Sequence, residues 1–125
     1  RWGIHSTWRS NRYMLRLQRG VPHVNLSPRD AEKRGIKDGD TVRVFNDIGE
    51  FQAMAKVMPG LRPETLMMDH AWEPHQFYKR LGMDTPVAGI LSPLELAGGW
   101  GHLKFGAEWD GNQLAYESSV DVAKV

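Results

Sequence analysis

The run from Leu26 to Val57, LSPRDAEKRGIKDGDTVRVFNDIGEFQAMAKV, constrains the fold more than any other part of the chain. Ser27 is placed to cap a helix, because its hydroxyl can accept the free amide of Asp30 three residues on. Pro28 suits the first helical position, where its φ is already fixed and its missing N–H leaves no bond unmade. Asp30 in the first turn, and Lys33 and Arg34 in the last, complement the helix dipole. Gly35 fits a left-handed terminator, with Ile36 folding back onto the helix. The spacing therefore predicts a helix of about two turns. Asp38-Gly39 marks a turn. Thr41 to Phe45 then alternates, with Val42 and Val44 on one face. Phe51 to Val57 alternates again, with Phe51, Ala53, Ala55 and Val57 inward. Asn46-Asp47-Ile48-Gly49 joins the two runs, so they read as a β-hairpin.

Shorter signals surround this unit. Arg1 to Asn11 has no period and reads as a loop. Arg12 to Arg19 fits a strand or a short helix equally, and Gly20-Val21-Pro22 ends it. His23 to Leu26 is a brief extended run. Met58 to Pro63 is turn-rich, and Thr65 to Met68 reads as a buried strand. Pro74 pushes Glu73 out of the helical region, so His70 to Phe77 reads as a loop. Phe77 to Gly82 allows a helical turn, and Asp84 to Leu96 is irregular. Ser119 to Val125 alternates as a final strand. Many short strands with one or two brief helices predict a mainly β domain, most simply a small barrel.

A chain of 125 residues fits one domain, and 41% hydrophobic with 25% charged residues is an ordinary globular composition. The net charge of +1 argues against coating nucleic acid. The charge is uneven, however: Arg1, Arg9, Arg12, Arg16, Arg19 and Arg29 all precede the first acid, Asp30. Such a basic opening suggests one anion-facing side. Cysteine is absent, so this chain supplies no disulfide, thiolate nucleophile or iron–sulfur ligand. No apolar run is long enough to span a bilayer, so direct membrane insertion is not expected. The opening on Arg1-Trp2 suggests a piece of something longer.

Four clusters can carry chemistry. His5-Ser6-Thr7-Trp8-Arg9 combines hydroxyls, a planar cation and a stacking ring, which suits a phosphate grip; it is equally composed as a surface loop. His70, Glu73 and His75 invite a metal, but Pro74 breaks the helix that would bring them to one face, and a cleft-lining loop fits better. Gly98-Gly99-Trp100-Gly101-His102 lets backbone amides approach a ring or anion closely, as plain turns also do. Asn112-Gln113 offers paired amide donors and acceptors, or a simple turn.

Taken in order, these motifs resemble the C-terminal dinucleotide-binding domain of the dimethyl sulfoxide reductase family. The residues that carry the likeness begin with His5-Ser6 and Arg9-Ser10-Asn11, followed by Arg19-Gly20-x-Pro22 and Leu26-Ser27-Pro28-x-Asp30-Ala31. Gly35-Ile36-Lys37-Asp38-Gly39-Asp40 and Val42-x-Val44-Phe45-Asn46-Asp47-x-Gly49 continue it, and His70-Ala71, Gly98-Gly99 and the Asn112 region complete it. Arg19-Gly20-x-Pro22 and His70 to Pro74 are most similar to the branch with nitrate, selenate and perchlorate reductases, dimethylsulfide dehydrogenase and ethylbenzene dehydrogenase.

The resemblance implies a six-stranded double-psi β-barrel with short helices, of the aspartate-decarboxylase-like kind, spanning residues 1–125. It implies two molybdopterin guanine dinucleotides with molybdenum in the whole enzyme, and iron–sulfur clusters only in other domains or subunits. His5, Ser6, Thr7 and Arg9 would meet pterin or pyrophosphate. Asn112 and Gln113 would approach a dinucleotide tail, while Gly98, Gly99 and His102 pack against cofactor and His70 lines the same cleft. No residue here would ligate metal or act catalytically. The remaining domains of a catalytic subunit and an iron–sulfur electron-transfer subunit would be the partners. The implied compartment is a prokaryotic periplasm, with the cytoplasm as alternative. A non-enzymatic double-psi module that binds protein partners is the competing expectation. A pyruvoyl-dependent decarboxylase of similar barrel needs a Gly-Ser bond to cleave, and the chain has none.

Overall fold

The computed structural model describes residues 11–69, 72–87 and 118–125. Its centre is a four-stranded sheet of β1 (His23–Leu26), β2 (Thr41–Phe45), β3 (Glu50–Val57) and β4 (Asp121–Lys124), in the order β1-β3-β2-β4. Strand β1 runs parallel to β3, while β2 pairs antiparallel with both β3 and β4. Among the described residues the sheet is open, and the chain is mainly β with a few short helical turns.

The Leu26–Val57 unit folds as its sequence requires. Helix α2 spans Pro28–Arg34, and the Ser27 Oγ accepts the Asp30 amide at 3.1 Å. Gly35 ends it at φ 64°, and the Ile36 amide returns to the Ala31 carbonyl at 2.9 Å. The hairpin pairs Val42 with Ala53 and Val44 with Phe51, so the alternating apolar faces coincide. Leu26 and Val42 have no exposed surface, and Val24, Ile36, Val44, Phe51, Ala55 and Val122 close around them. Phe77 meets Phe51 edge-on, with ring centres 5.9 Å apart.

Three segments differ from, or refine, the sequence expectation. Residues 12–19 are helical: α1 (Arg12–Met14) continues as a π-turn over Leu15–Arg19. Asn11 decides the matter, since its Oδ1 accepts the Tyr13 and Met14 amides at 3.0 and 3.3 Å. Thr65 to Met68 is not a buried strand. It makes one antiparallel bridge, Asn25 with Met67, and Met67 is exposed. Pro63 offers no N–H, and Glu64 stands at φ 62°, so the chain turns just before the bridge and pairing stops at one residue pair. In the 70–77 loop, Pro74–Gln76 forms a single 3-10 turn, in which Glu73 and Gln76 cap each other. At the predicted helical turn, Tyr78–Arg80 instead makes a tight turn with Lys79 and Arg80 at positive φ, 53° and 59°. No helix among the described residues is long and apolar enough to cross a membrane.

Candidate functional site

Strand register staggers the sheet. Strand β1 begins level with Met54, which also faces Thr41 at the start of β2, whereas Phe45 at the end of β2 lies opposite both Glu50 and Asp121. The described residues that flank the candidate segments therefore fall in two groups. Residues 20–22 lead into β1 level with Met54, whose amide the Pro22 carbonyl accepts at 3.0 Å. Met67 bridges Asn25 of β1, and Trp72 meets the His23 ring edge-on at 6.1 Å. Thr85 and Pro86 touch the 46–49 turn, and residues 118–120 enter β4 beside it.

Two asparagines hold these flanks. The Asn25 side chain donates to the Met67 carbonyl at 3.0 Å, reinforcing the two backbone bonds of the bridge. Asn46 has a double role. Its Oδ1 accepts the amides of Ile48 and Gly49 at 2.9 and 3.0 Å, which shapes the hairpin turn. Its Nδ2 donates to the carbonyls of Pro86 at 2.8 Å and Ser119 at 3.2 Å. A small cleft of about 130 Å³ lies between these flanks, lined by Val24, Val44, Phe51, Met68, Val87 and Val120. Its walls are apolar, so it suits packing rather than ion capture.

Charge is distributed differently. At the α2 side a larger cleft of about 440 Å³ is lined by Asp30, Lys33, Arg34, Thr65, Ser119 and Asp121. Arg34 closes on Asp121 at 2.7 Å; this contact and the Val122 amide hold the Asp121 carboxyl below the usual range. Cation and anion there satisfy each other. On α1, Arg12 and Arg16 are exposed one helical turn apart and have no carboxylate partner among the described residues. Among the described residues no group of three His, Cys, Asp or Glu could hold a metal ion.

His5, Ser6, Thr7, Arg9, His70, Gly98, Gly99, His102, Asn112 and Gln113 lie outside the described residues. What is described are the supports on which those segments begin and end. Sequence reasoning treated Asn46 only as a turn residue, and Asn25 as part of an extended run. The one local hint at Asn46 is the choice of an amide where a carboxylate would serve the turn equally well.

Residues 1–92 match the family described as "Molydopterin dinucleotide binding domain". Dimethylsulfide dehydrogenase subunit alpha of Rhodovulum sulfidophilum is 58% identical over 123 residues, covering 98% of this chain and 14% of that protein. Chlorate reductase subunit alpha of Ideonella dechloratans is 45% identical over 125 residues, covering 99% of this chain and 14% of that protein. The respiratory nitrate reductase 1 alpha chain of Escherichia coli is 38% identical over 119 residues, with 89% and 10% covered. The chain therefore spans a small fraction of the length of the curated relatives it matches. In fold it is similar to acetylene hydratase from Pelobacter acetylenicus, with a TM-score of 0.62 at 14% identity, over 98% of this chain and 17% of that one. A basic opening, capped helix and hairpin in this order, matched by the family over residues 1–92 and by these alpha subunits over most of the chain, place it: it belongs to the molybdopterin dinucleotide-binding domain family carried by dimethyl sulfoxide reductase-family catalytic subunits.

Proposed function

We propose that this chain is the C-terminal cofactor-binding domain of a molybdenum-dependent oxidoreductase catalytic subunit working in anaerobic respiratory electron transfer. The observation that carries the reading is the family match over residues 1–92, joined to 58% identity with a dimethylsulfide dehydrogenase alpha subunit. The meeting of Met68, Val87 and Val120 at one cleft supports it, since these residues lie close to the candidate segments and a dinucleotide needs several loops to meet. The donor chemistry fits as well: hydroxyls, His and Arg suit pyrophosphate, amides suit a purine edge, and glycines suit close approach.

In this reading the chain binds two molybdopterin guanine dinucleotides and does no redox chemistry itself. The bound cofactor supplies the electron and oxygen chemistry. His5, Ser6, Thr7 and Arg9 grip pterin or pyrophosphate. Gly98, Gly99 and His102 pack against cofactor, Asn112 and Gln113 hold a dinucleotide tail, and His70 lines the cleft between them. The proposed architecture is the six-stranded double-psi barrel, to which the four strands and the Asn25–Met67 bridge contribute. The remaining domains of the subunit and an iron–sulfur subunit are the partners, since this chain has no cysteine with which to hold a cluster.

The test is elemental and nucleotide analysis of the intact polypeptide, purified under reducing conditions. Molybdenum or tungsten and guanine nucleotide released by acid hydrolysis are expected, and Arg9→Ala should lower both. A preparation with neither metal nor guanine nucleotide overturns the reading.

A further inference from the structure

Among the described residues, three that are not glycine stand at positive φ: Glu64, Lys79 and Arg80. Each carries a steric cost that glycine avoids. Glu64 has a local reason, since its amide donates to the buried Asp30 carboxylate at 2.8 Å. Lys79 and Arg80 gain no bond of that kind. They are consecutive, at φ 53° and 59°, and backbone bonds alone close the turn. The Arg80 amide donates to the Phe77 carbonyl at 3.1 Å, and the Leu81 amide to the Tyr78 carbonyl at 3.2 Å. Glycine or asparagine would make the same turn with less strain. What Lys79 and Arg80 add is charge and reach.

Both ends of the turn are fixed. Phe77 is buried and meets Phe51 edge-on. On the other side, a Cβ on Gly82 would lie 2.8 Å from the Asp84 Oδ1 and 3.6 Å from the Phe77 ring, and the Gly82 carbonyl accepts the Thr85 amide at 3.0 Å. Between these anchors four consecutive residues are exposed, Tyr78 by 58% and Leu81 by 37%. The Lys79 ammonium lies 5.3 Å from the Tyr78 ring centre, and no carboxylate among the described residues pairs with Lys79 or Arg80. A domain on its own gains nothing from a strained turn that holds an aromatic ring, a leucine and two cations in water. A rigid tip of this composition is what an interface anchor requires, since Tyr and Arg carry binding energy and little order is left to lose.

We infer that the Tyr78–Leu81 tip docks against an acidic surface elsewhere on the same polypeptide. The inference rests on the proposed function for its partner. Relatives matched over nearly the whole of this chain are covered over only 14% of their own length, so most of such a subunit lies beyond these 125 residues. The partner surface must bring carboxylates, because the tip brings two cations and no acid. Tyr78 and Leu81 then pack beside the ion pairs and shield them from salt. Four residues cannot supply the roughly 800 Å² that each side of a stable complex between separate chains buries, whereas a tethered partner needs far less.

The experiment uses the intact polypeptide that carries this chain. A water-soluble carbodiimide joins an amine to a carboxylate in direct contact with it, and mass spectrometry maps the joined peptides. Lys79 should be joined to an Asp or Glu of the same polypeptide outside residues 1–125. Arg80→Lys offers a second amine at the tip and should give the same partner peptide. Neither arm depends on a disruptive substitution. The double variant Lys79→Gly, Arg80→Gly then relieves the strain and removes the charge, so hydroxyl-radical labelling of Tyr78 and Leu81 should rise several-fold over wild type. Arg62→Ala, which removes an exposed cation elsewhere, should leave that labelling unchanged. The inference is overturned by the absence of a cross-link from either position. A cross-link to an acid within residues 1–125, or to a separate polypeptide, overturns it too, as does wild-type labelling in the double variant or an equal rise in Arg62→Ala. If the same preparation holds neither metal nor guanine nucleotide, the proposed function falls, and the cross-link alone then decides the docking.

Discussion

Asp30 is a carboxylate with only 6% of its surface exposed. The Ser27 hydroxyl donates to it at 2.7 Å and the Glu64 amide at 2.8 Å, while its own amide returns to Ser27 Oγ. One acid thus fixes the start of α2 and pins the 58–66 turn, including Glu64 in its left-handed conformation. The Ser27 hydrogen bond lowers the Asp30 pKa most; burial opposes this, and the Glu64 amide with Arg34 and Lys33 adds to it. A carboxyl lowered in the folded state stabilises above its unfolded value and loses that contribution as pH falls through the folded one. Asp40, held by Lys124 and the Lys37 amide, and Asp121, held by Arg34, shift the same way. The urea midpoint of the 125-residue chain should therefore be flat from neutral pH to about 5 and fall below about pH 4. Asp30→Asn should lower the midpoint at pH 7 and make that acid fall shallower; an unchanged acid slope would show that Asp30 does not contribute. Ser27 and Asp30 were legible because a cap and its partner are three residues apart. Asn46 was not, because half of its bonds reach residues 86 and 119, and nothing local announces them.

The helix and hairpin were read correctly for a related reason: each is specified by contacts a few residues apart. Gly35 isolates one such contact. It stands at φ 64°, and a Cβ added there would meet nothing within 4 Å. Gly35→Ala should thus cost only the backbone strain of a left-handed residue, about 1 kcal/mol. Gly35→Asn should recover part of it, as read from paired urea curves of equal slope. A larger loss would point to packing at Gly35 that the open surroundings do not show. Where contacts are distant, the sequence was less informative. Thr65 to Met68 has the composition of a strand, but whether it pairs depends on Pro63 and Glu64 turning the chain ahead of it. Arg12 to Arg19 fitted both periods, and the Asn11 cap resolved it. Parallel pairing of β1 with β3 leaves no mark in either strand alone. The site residues came from resemblance to a family, since hydroxyl, glycine and amide clusters are compatible with ordinary turns.

At the scale of the molecule, β4 is the element that turns a local unit into a domain. The hairpin alone would leave the outer edge of β2 unpaired, and β4 covers it from Phe45 to Val42. Val122, 5% exposed, lies opposite Val44 and adds to the same core. Two ion pairs mark the junction, Arg34 with Asp121 and Lys124 with Asp40 at 2.8 Å, but all four groups are partly exposed. Exposed pairs contribute about 0–1 kcal/mol, so the strand pairing and Val122 should dominate. Lys124→Ala should shift the urea midpoint little. Deleting residues 121–125 should lower both midpoint and slope and produce light scattering on warming, because a bare central-type strand edge recruits other chains. Ser118 and Val120, which lead into β4, also line the small apolar cleft, and the Asn46 bond to Ser119 depends on the same stretch. The deletion should therefore speed hydrogen exchange at the Ile48 and Gly49 amides, which Asn46 holds, at temperatures where Lys124→Ala leaves it unchanged. Equal exchange in the two variants would mean that β4 only covers an edge; a difference would show that the same strand holds both the sheet and the 46–49 turn.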